Sequence, residues 1–267
     1  CAGASTGMII CKSRTELEIM HRANQVVSQV LGELVQRVQP GVSTGELDEY
    51  AEGRVRELGG DPAFKGYRGF PGSVCASLNE EVVHGIPAHE RKVAPGDIIS
   101  MDLGVKIEGF YGDSATTVAV PPVDAEIERL LRITEESLQR AIDQCRVGKR
   151  VGDISHAVQS HVEAAGFSVV REFVGHGIGS VLHEDLQIPN FGRPGVGQRL
   201  RGGMVLAIEP MVNMGTHEVE ILGDGWTAVT KDRRPSAHFE HSVAITEEGP
   251  WILSAPQAHM RKASGYA

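Results

Sequence analysis

The feature that most constrains this chain is that it repeats itself. "PGVSTGELDEYAEGRVRELGG" (40–60) lies without gaps on "VGKRVGDISHAVQSHVEAAGF" (147–167), matching Gly41 with Gly148, Gly45 with Gly152, Val55 with Val162 and Gly59 with Gly166. The same displacement of 107 residues lays "RKVAPGDIISMDLGV" (91–105) over "QRLRGGMVLAIEPMV" (198–212), Gly96 on Gly203 and aliphatic on aliphatic. Similarity at a fixed displacement means that one supersecondary unit is built twice. Repeats often serve packing alone. Here one matched pair is Asp102 on Glu209, an acid inside an apolar run in both copies.

Each copy opens with an amphipathic helix pattern. The first runs from about Thr15, with Thr15 and Glu18 spaced as a capping box, through Met20, Val27, Leu31 and Val35 until Pro40 stops it. The second follows Asp124 and uses Ile127, Leu130, Ile133, Leu138 and Ile142. Further helices are expected over about 44–58 and 152–165, each followed by strands. The fold class is therefore α+β: two halves (about 15–120 and 124–250) related by a pseudo-twofold axis, with antiparallel strands central and helices outside. Residues 1–7 are expected to be a short extension, 8–255 a single domain and 256–267 a tail.

An ionised carboxylate in an apolar strand is costly unless it is paired, hydrogen-bonded or bound to a metal. Ser100, Asp102 and Gly104 share one face of the strand in "GDIISMDLGV" (96–105), while Ile99, Met101, Leu103 and Val105 share the other. The following "KIEGFYGDSATTV" (106–118) predicts a tight hairpin. A turn centred between Ile107 and Glu108 sets Asp102 opposite Asp113, where like charges repel. In the second half "HFEHSVAIT" (238–246) echoes "FYGDSATTV", with Glu240 taken as the counterpart of Asp113 at a displacement of 127. Four converging carboxylates with no basic partner in their motifs would oppose folding at neutral pH. Two divalent cations would neutralise them, and oxygen-rich donors suit Mn(II), Fe(II) or Co(II).

Composition narrows the partners. A net charge of -9 without a Lys/Arg run argues against nucleic-acid binding, and no stretch is apolar enough for a membrane span. Cys1, Cys11, Cys75 and Cys145 form no CxxC, so they read as reduced thiols in a cytoplasmic protein, here expected to be monomeric. Three histidines stand in glycine-containing loops: His84 in "NEEVVHGIP", and His176 and His183 in "GHGIGSVLHE". Glycines there let backbone approach a ligand closely.

These motifs, with "MDLGV", "GFYGDSA", "IEPM" and "FEHSVAIT", resemble those of the type I methionine aminopeptidases, of the pita-bread fold, from about Met8 to Ser254. The resemblance implies two divalent metal ions (Mn, Fe, Co or Zn) held by Asp102, Asp113, His176, Glu209 and Glu240, with Asp113 and Glu240 bridging. It makes His84 and His183 catalytic without being ligands, and gives Glu209 a part in proton transfer. It implies a methionine pocket lined by Tyr67, Phe70, Cys75, His84, His183 and Trp226, with Leu182 where the family often has an aromatic. The substrates it implies are peptides and nascent chains with N-terminal Met and a small second residue, the ribosome being a candidate contact.

Two other readings share the fold. A proline-specific aminopeptidase usually carries a large extra N-terminal domain, and this chain has only a short lead before its first helix. A non-catalytic binding member would have lost ligands, whereas all five ligand types are present.

Overall fold

The computed structural model describes residues 9–256. Four helices and a set of antiparallel strands form two halves, and the displacement of 107 residues recurs in their hydrogen bonds. Helix α1 spans Arg14–Arg37, α2 Thr44–Glu57, α3 Ala125–Ile142 and α4 Val151–Ala164. Both ends of α2 fall 107 residues before those of α4. The isolated bridge between Ser43 and Lys92 returns as that between Arg150 and Arg199. The bond from Gly41 N–H to the Val93 carbonyl returns as that from Gly148 to Leu200. Gly41 and Gly148, at φ 92° and 90°, turn the chain in a region closed to most side chains.

Local chemistry sets the helix ends. The capping box of α1 is Ser13 with Glu16, not Thr15 with Glu18: the Ser13 side chain accepts from Glu16 N–H, and Glu16 reaches back to Ser13 N–H. Thr15 and Glu18 have the same spacing two residues later, inside the helix. Ser43 and Glu46 cap α2 in the same way.

The first half is organised by the strands Ile98–Ile107 and Phe110–Ala119. Ile99, Met101, Leu103 and Val105 pack with Val27, Leu31 and Leu34 of α1 and Leu47, Ala51 and Val55 of α2 in one buried core. In the second half, α3 and α4 pack through Leu130, Leu138, Ile154 and Val158 on Leu206, Ile208 and Val243. The face of each hairpin turned away from its helices is left for the other half. There Thr117 Oγ1 donates to the His238 carbonyl at 2.7 Å, Glu240 N–H to the Ala115 carbonyl at 3.0 Å, and Ser242 Oγ to the Asp113 carbonyl at 2.9 Å. These bonds join the halves at the level of the acids.

Two registers differ from the sequence reading. The first hairpin closes through Glu108 and Gly109, with Ile107 paired to Phe110, so Asp102 faces Ala115 and Asp113 faces Gly104. Both turn residues have positive φ, 48° and 87°, as the two-residue hairpin turn requires. The turn centre is one residue later than expected, which makes the two acids diagonal neighbours on one face instead of opposed. In the second half the pairs Ile208↔His241 and Met211↔His238 bracket Glu209 against Glu240. By strand register the counterpart of Asp113 is thus His238, and Glu240 stands at the level of Ala115. Pro210, on the position of Leu103, interrupts the strand beside Glu209 and removes a ladder donor.

Among the described residues no helix is long and apolar enough to cross a membrane. The expected extension at 1–7 and the tail after Pro256 lie outside the described residues.

Candidate active site

A cavity of about 150 Å³ opens between the halves. Every residue singled out from the sequence as ligand, catalyst or pocket residue lines it: Asp102, Asp113, His176, Glu209 and Glu240, then His84 and His183, then Tyr67, Phe70, Cys75 and Trp226. Phe64, Arg68 and Leu182 complete the lining.

The acids arrive from separate elements. Asp102 lies mid-strand and pairs with Cys75 of the neighbouring strand Val74–Leu78. Asp113 is one diagonal step away on the same face, and the charge of Asp102 bears on it. Gly104 faces Asp113, and the Phe64 ring fills the space a Gly104 side chain would take: a Cβ there would lie 2.6 Å from its Cε1. Glu209 follows the strand Val205–Ile208, and its carbonyl accepts from Asn190 Nδ2 at 3.0 Å. Glu240 precedes the strand His241–Thr246.

Asp113, His176 and Glu240 offer ligand atoms within 4.8 Å of one another, and His176 Nε2 lies 3.6 Å from Glu209 Oε1. The last contact is not an ion pair. Burial holds the His176 imidazole at a pKa of about 4, hence neutral at pH 7. Its Nδ1–H donates to the Gly177 carbonyl at 3.0 Å, which leaves an unprotonated Nε2 facing a carboxylate. A lone pair against a carboxyl group needs a proton or a metal cation between them, and this tautomer is the one a metal ligand needs.

The carboxylates make the same demand. Burial raises all four pKa values, and the charges of the neighbouring acids raise those of Asp113, Glu209 and Glu240 further. Asp102 Oδ1, Asp113 Oδ1 and Glu240 Oε1 are buried without a hydrogen-bond partner. A buried polar atom left unsatisfied costs about 1–3 kcal/mol. Divalent cations would meet these atoms and cancel the charge, so the donor set fits hard or borderline metal ions.

The other histidines differ from His176. The His183 ring lies 4.2 Å from that of His176 and is also kept neutral, mainly by burial and then by the nearby His176 and Arg68. Its Nδ1 is 2.9 Å from the Tyr67 hydroxyl. His84 is held at φ 61°, a conformation rare outside glycine, and meets the edges of Phe173 and Trp226 at centroid distances of 5.4 and 6.2 Å. Such backbone strain persists where the surroundings fix the residue in place.

His238 was not singled out by sequence reasoning. It is buried, its Nε2 has no hydrogen-bond partner, and that atom is 3.9 Å from Glu209 Oε2. Strand register puts His238 at the position of Asp113, where the sequence echo sets Glu240.

A metal-binding centre on the axis between two related halves, beside an apolar wall, is that of a metal-dependent hydrolase. The chain belongs to metallopeptidase family M24, whose profile matches residues 18–247. It is 52% identical to methionine aminopeptidase 1 of Bacillus subtilis over 247 residues, 92% of this chain and 99% of that protein. The crystal structure of methionine aminopeptidase from Thermotoga maritima superposes with a TM-score of 0.91 at 46% identity, covering 92% of this chain and 99% of that one. Prolidase from Pyrococcus furiosus reaches a TM-score of 0.74 at 20% identity, covering 93% of this chain and 66% of its own, and shares the pita-bread fold alone.

Proposed function

We infer that this chain is a methionine aminopeptidase, a metallo-exopeptidase that hydrolyses the first peptide bond of peptides and nascent chains beginning with Met and a small second residue. The observation that carries this reading is the convergence of four carboxylates and a neutral imidazole on one cavity, under a wall of aromatic and thiol side chains. Similarity of about half the residues to proteins named methionine aminopeptidase, along their whole length, favours it over the proline-specific alternative.

Asp102, Asp113, His176, Glu209 and Glu240 would hold two ions, with Mn(II), Fe(II) and Co(II) the best matched to this donor set. When bound, such ions supply Lewis acidity and lower the pKa of water towards about 7. The chain's own residues do the rest. With the Tyr67 O–H donating to Nδ1, the His183 proton sits on Nε2, where it can stabilise a carbonyl oxygen as that oxygen becomes anionic. Because burial keeps His183 neutral, it serves as a hydrogen-bond donor and not as an acid. Glu209, whose carboxylate faces His176 on the same cavity, is the group assigned to carry a proton to the leaving amine. His84, neutral and fixed by its backbone, suits the substrate nitrogen.

Phe64, Phe70, Cys75 and Trp226 give a thioether chain an apolar, aromatic surround. Burial, with the charge of Asp102 next, pushes the Cys75 thiol well above its ordinary range and keeps it protonated. Metal analysis together with cleavage of Met-Ala-Ser and Met-Lys-Ser tests the proposal. Metal-dependent release of Met from the first and little from the second is expected; equal release from both, or cleavage of proline dipeptides instead, would refute it.

A further inference from the structure

Arg68, whose charge helps keep His183 neutral, is the one Arg or Lys among the residues lining the cavity. Its backbone stands at φ 49° between Gly66 at 82° and Gly69 at 92°. A left-handed conformation at a long side chain costs roughly 1–2 kcal/mol, and such strain collects at functional positions. The guanidinium stands 5.3 Å from the centre of the Tyr67 ring, on the side chain that also holds His183. Arg91, Arg54 and Arg56 are held by Glu81, Glu33 and Glu52 and do not line the cavity. Among the described residues, no carboxylate oxygen lies within 4.0 Å of Arg68.

The charge balance gives this cation a consequence. Two divalent ions would cancel the four carboxylates on the cavity floor, leaving Arg68 as the uncompensated charge of the wall. We propose that Arg68 forms an anion subsite at the cavity mouth, which binds a carboxylate of the peptide on the leaving-group side of the scissile bond. The proposal rests on the aminopeptidase reading above and adds a specificity element to it. Two sources share the chemistry: the terminal carboxylate of a short peptide, and an Asp or Glu side chain just beyond the small second residue. The guanidinium fork matches either one. The net charge of -9 would by itself disfavour anionic substrates, so a preference for them needs a local cation.

The test uses the metal-loaded enzyme and two matched substrate pairs. Met-Ala-Ser as free acid is set against its amide, and Met-Ala-Glu-Ala-amide against Met-Ala-Gln-Ala-amide. At low ionic strength kcat/KM should favour the anionic member of at least one pair by about two- to fivefold, the range of an exposed ion pair. The difference should lie mainly in KM and fade at 1 M salt, where the screening length is about 3 Å. The preferred pair identifies the source of the carboxylate. In Arg68→Gln, and in Arg68→Asn, which tolerates positive φ, the ratio should fall to about one, while Arg68→Lys keeps part of it. Each ratio is taken within one variant, so partial loss of folded protein cancels. A ratio near one for both pairs in the unmutated enzyme, or one unchanged by Arg68→Gln, overturns the subsite alone. Absence of Met release from every peptide sinks the subsite and the aminopeptidase reading together.

Discussion

Lys12 and Glu184 form a buried ion pair outside the metal site, and breaking it should be among the most damaging single changes to this fold. Lys12 Nζ lies 2.7 Å from both Glu184 oxygens and 3.1 Å from the Ile10 carbonyl, and the two side chains are only 1% and 8% exposed. Glu184 follows His183 and pairs with Gly177, next to His176. The pair therefore pins the segment before α1 against the hairpin that carries both histidines. Desolvation pulls the Lys12 pKa below its ordinary value even with Glu184 beside it. Burying the ammonium is thus a net cost near neutral pH, and the intact pair contributes little by itself.

Lys12→Met removes the cation and leaves the carboxylate buried, which typically costs about 3–5 kcal/mol. At about 2–4 °C per kcal/mol for a large domain, the Tm of the metal-loaded protein should fall by on the order of 10 °C. In the double variant Lys12→Met/Glu184→Met no charge is left behind, and replacing a whole buried pair by apolar groups is often neutral. Its stability should return to within about 1 kcal/mol of the starting protein. Urea unfolding of the four proteins of the cycle, with metal present, measures the coupling. A Lys12→Met loss below about 1 kcal/mol, as for an exposed pair, or a double variant no more stable than the single one, would refute the reasoning.

His176→Ala should lose metal affinity and activity together, whereas His183→Ala should keep its metal and lose about 10²–10³ in turnover; metal titration by calorimetry beside steady-state rates separates the two. Chelation should lower the Tm, because binding to the folded state stabilises by about 2.7 kcal/mol at a hundredfold excess over Kd; a Tm indifferent to chelator contradicts the site. The metal-free protein should also depend on pH with a definite sign. Carboxyls raised above ordinary values of 3.8 for Asp and 4.5 for Glu give stability that is full below those values and lost as pH rises through the raised ones. The buried imidazoles have the opposite sign, because their depressed pKa values cost stability below the ordinary 6.5, so the comparison is made above that value: the metal-free form should melt higher at pH 7 than at pH 8, and saturating metal should reverse that order because its ligands bind deprotonated.

The sequence alone determined the doubled architecture and the chemistry at its centre. The displacement of 107 residues is visible in the string because each copy needs glycine at the same turns and apolar residues on the same faces, and these are local requirements. Helix limits followed to within a residue or two, since caps and breakers act over one turn. The residue types of the site were legible for a similar reason: Asp102 and Glu209 interrupt apolar strands, and such an interruption is tolerated only with a partner.

Tertiary structure decided how those residues meet. The turn at Glu108 and Gly109 put a non-glycine residue at positive φ, so the string signalled the turn but not its centre, and one residue of displacement turned opposed acids into diagonal ones. Glu240 and Asp113 proved not to be equivalent in register, because Pro210 and the longer second hairpin break the symmetry where metal would bind. His238 gained its place beside Glu209, and Arg68 its place on the cavity wall, from chain segments distant in sequence. Periodicity and capping are readable from sequence because they act between near neighbours, whereas the distance between two carboxylates depends on strand register and on how the halves dock.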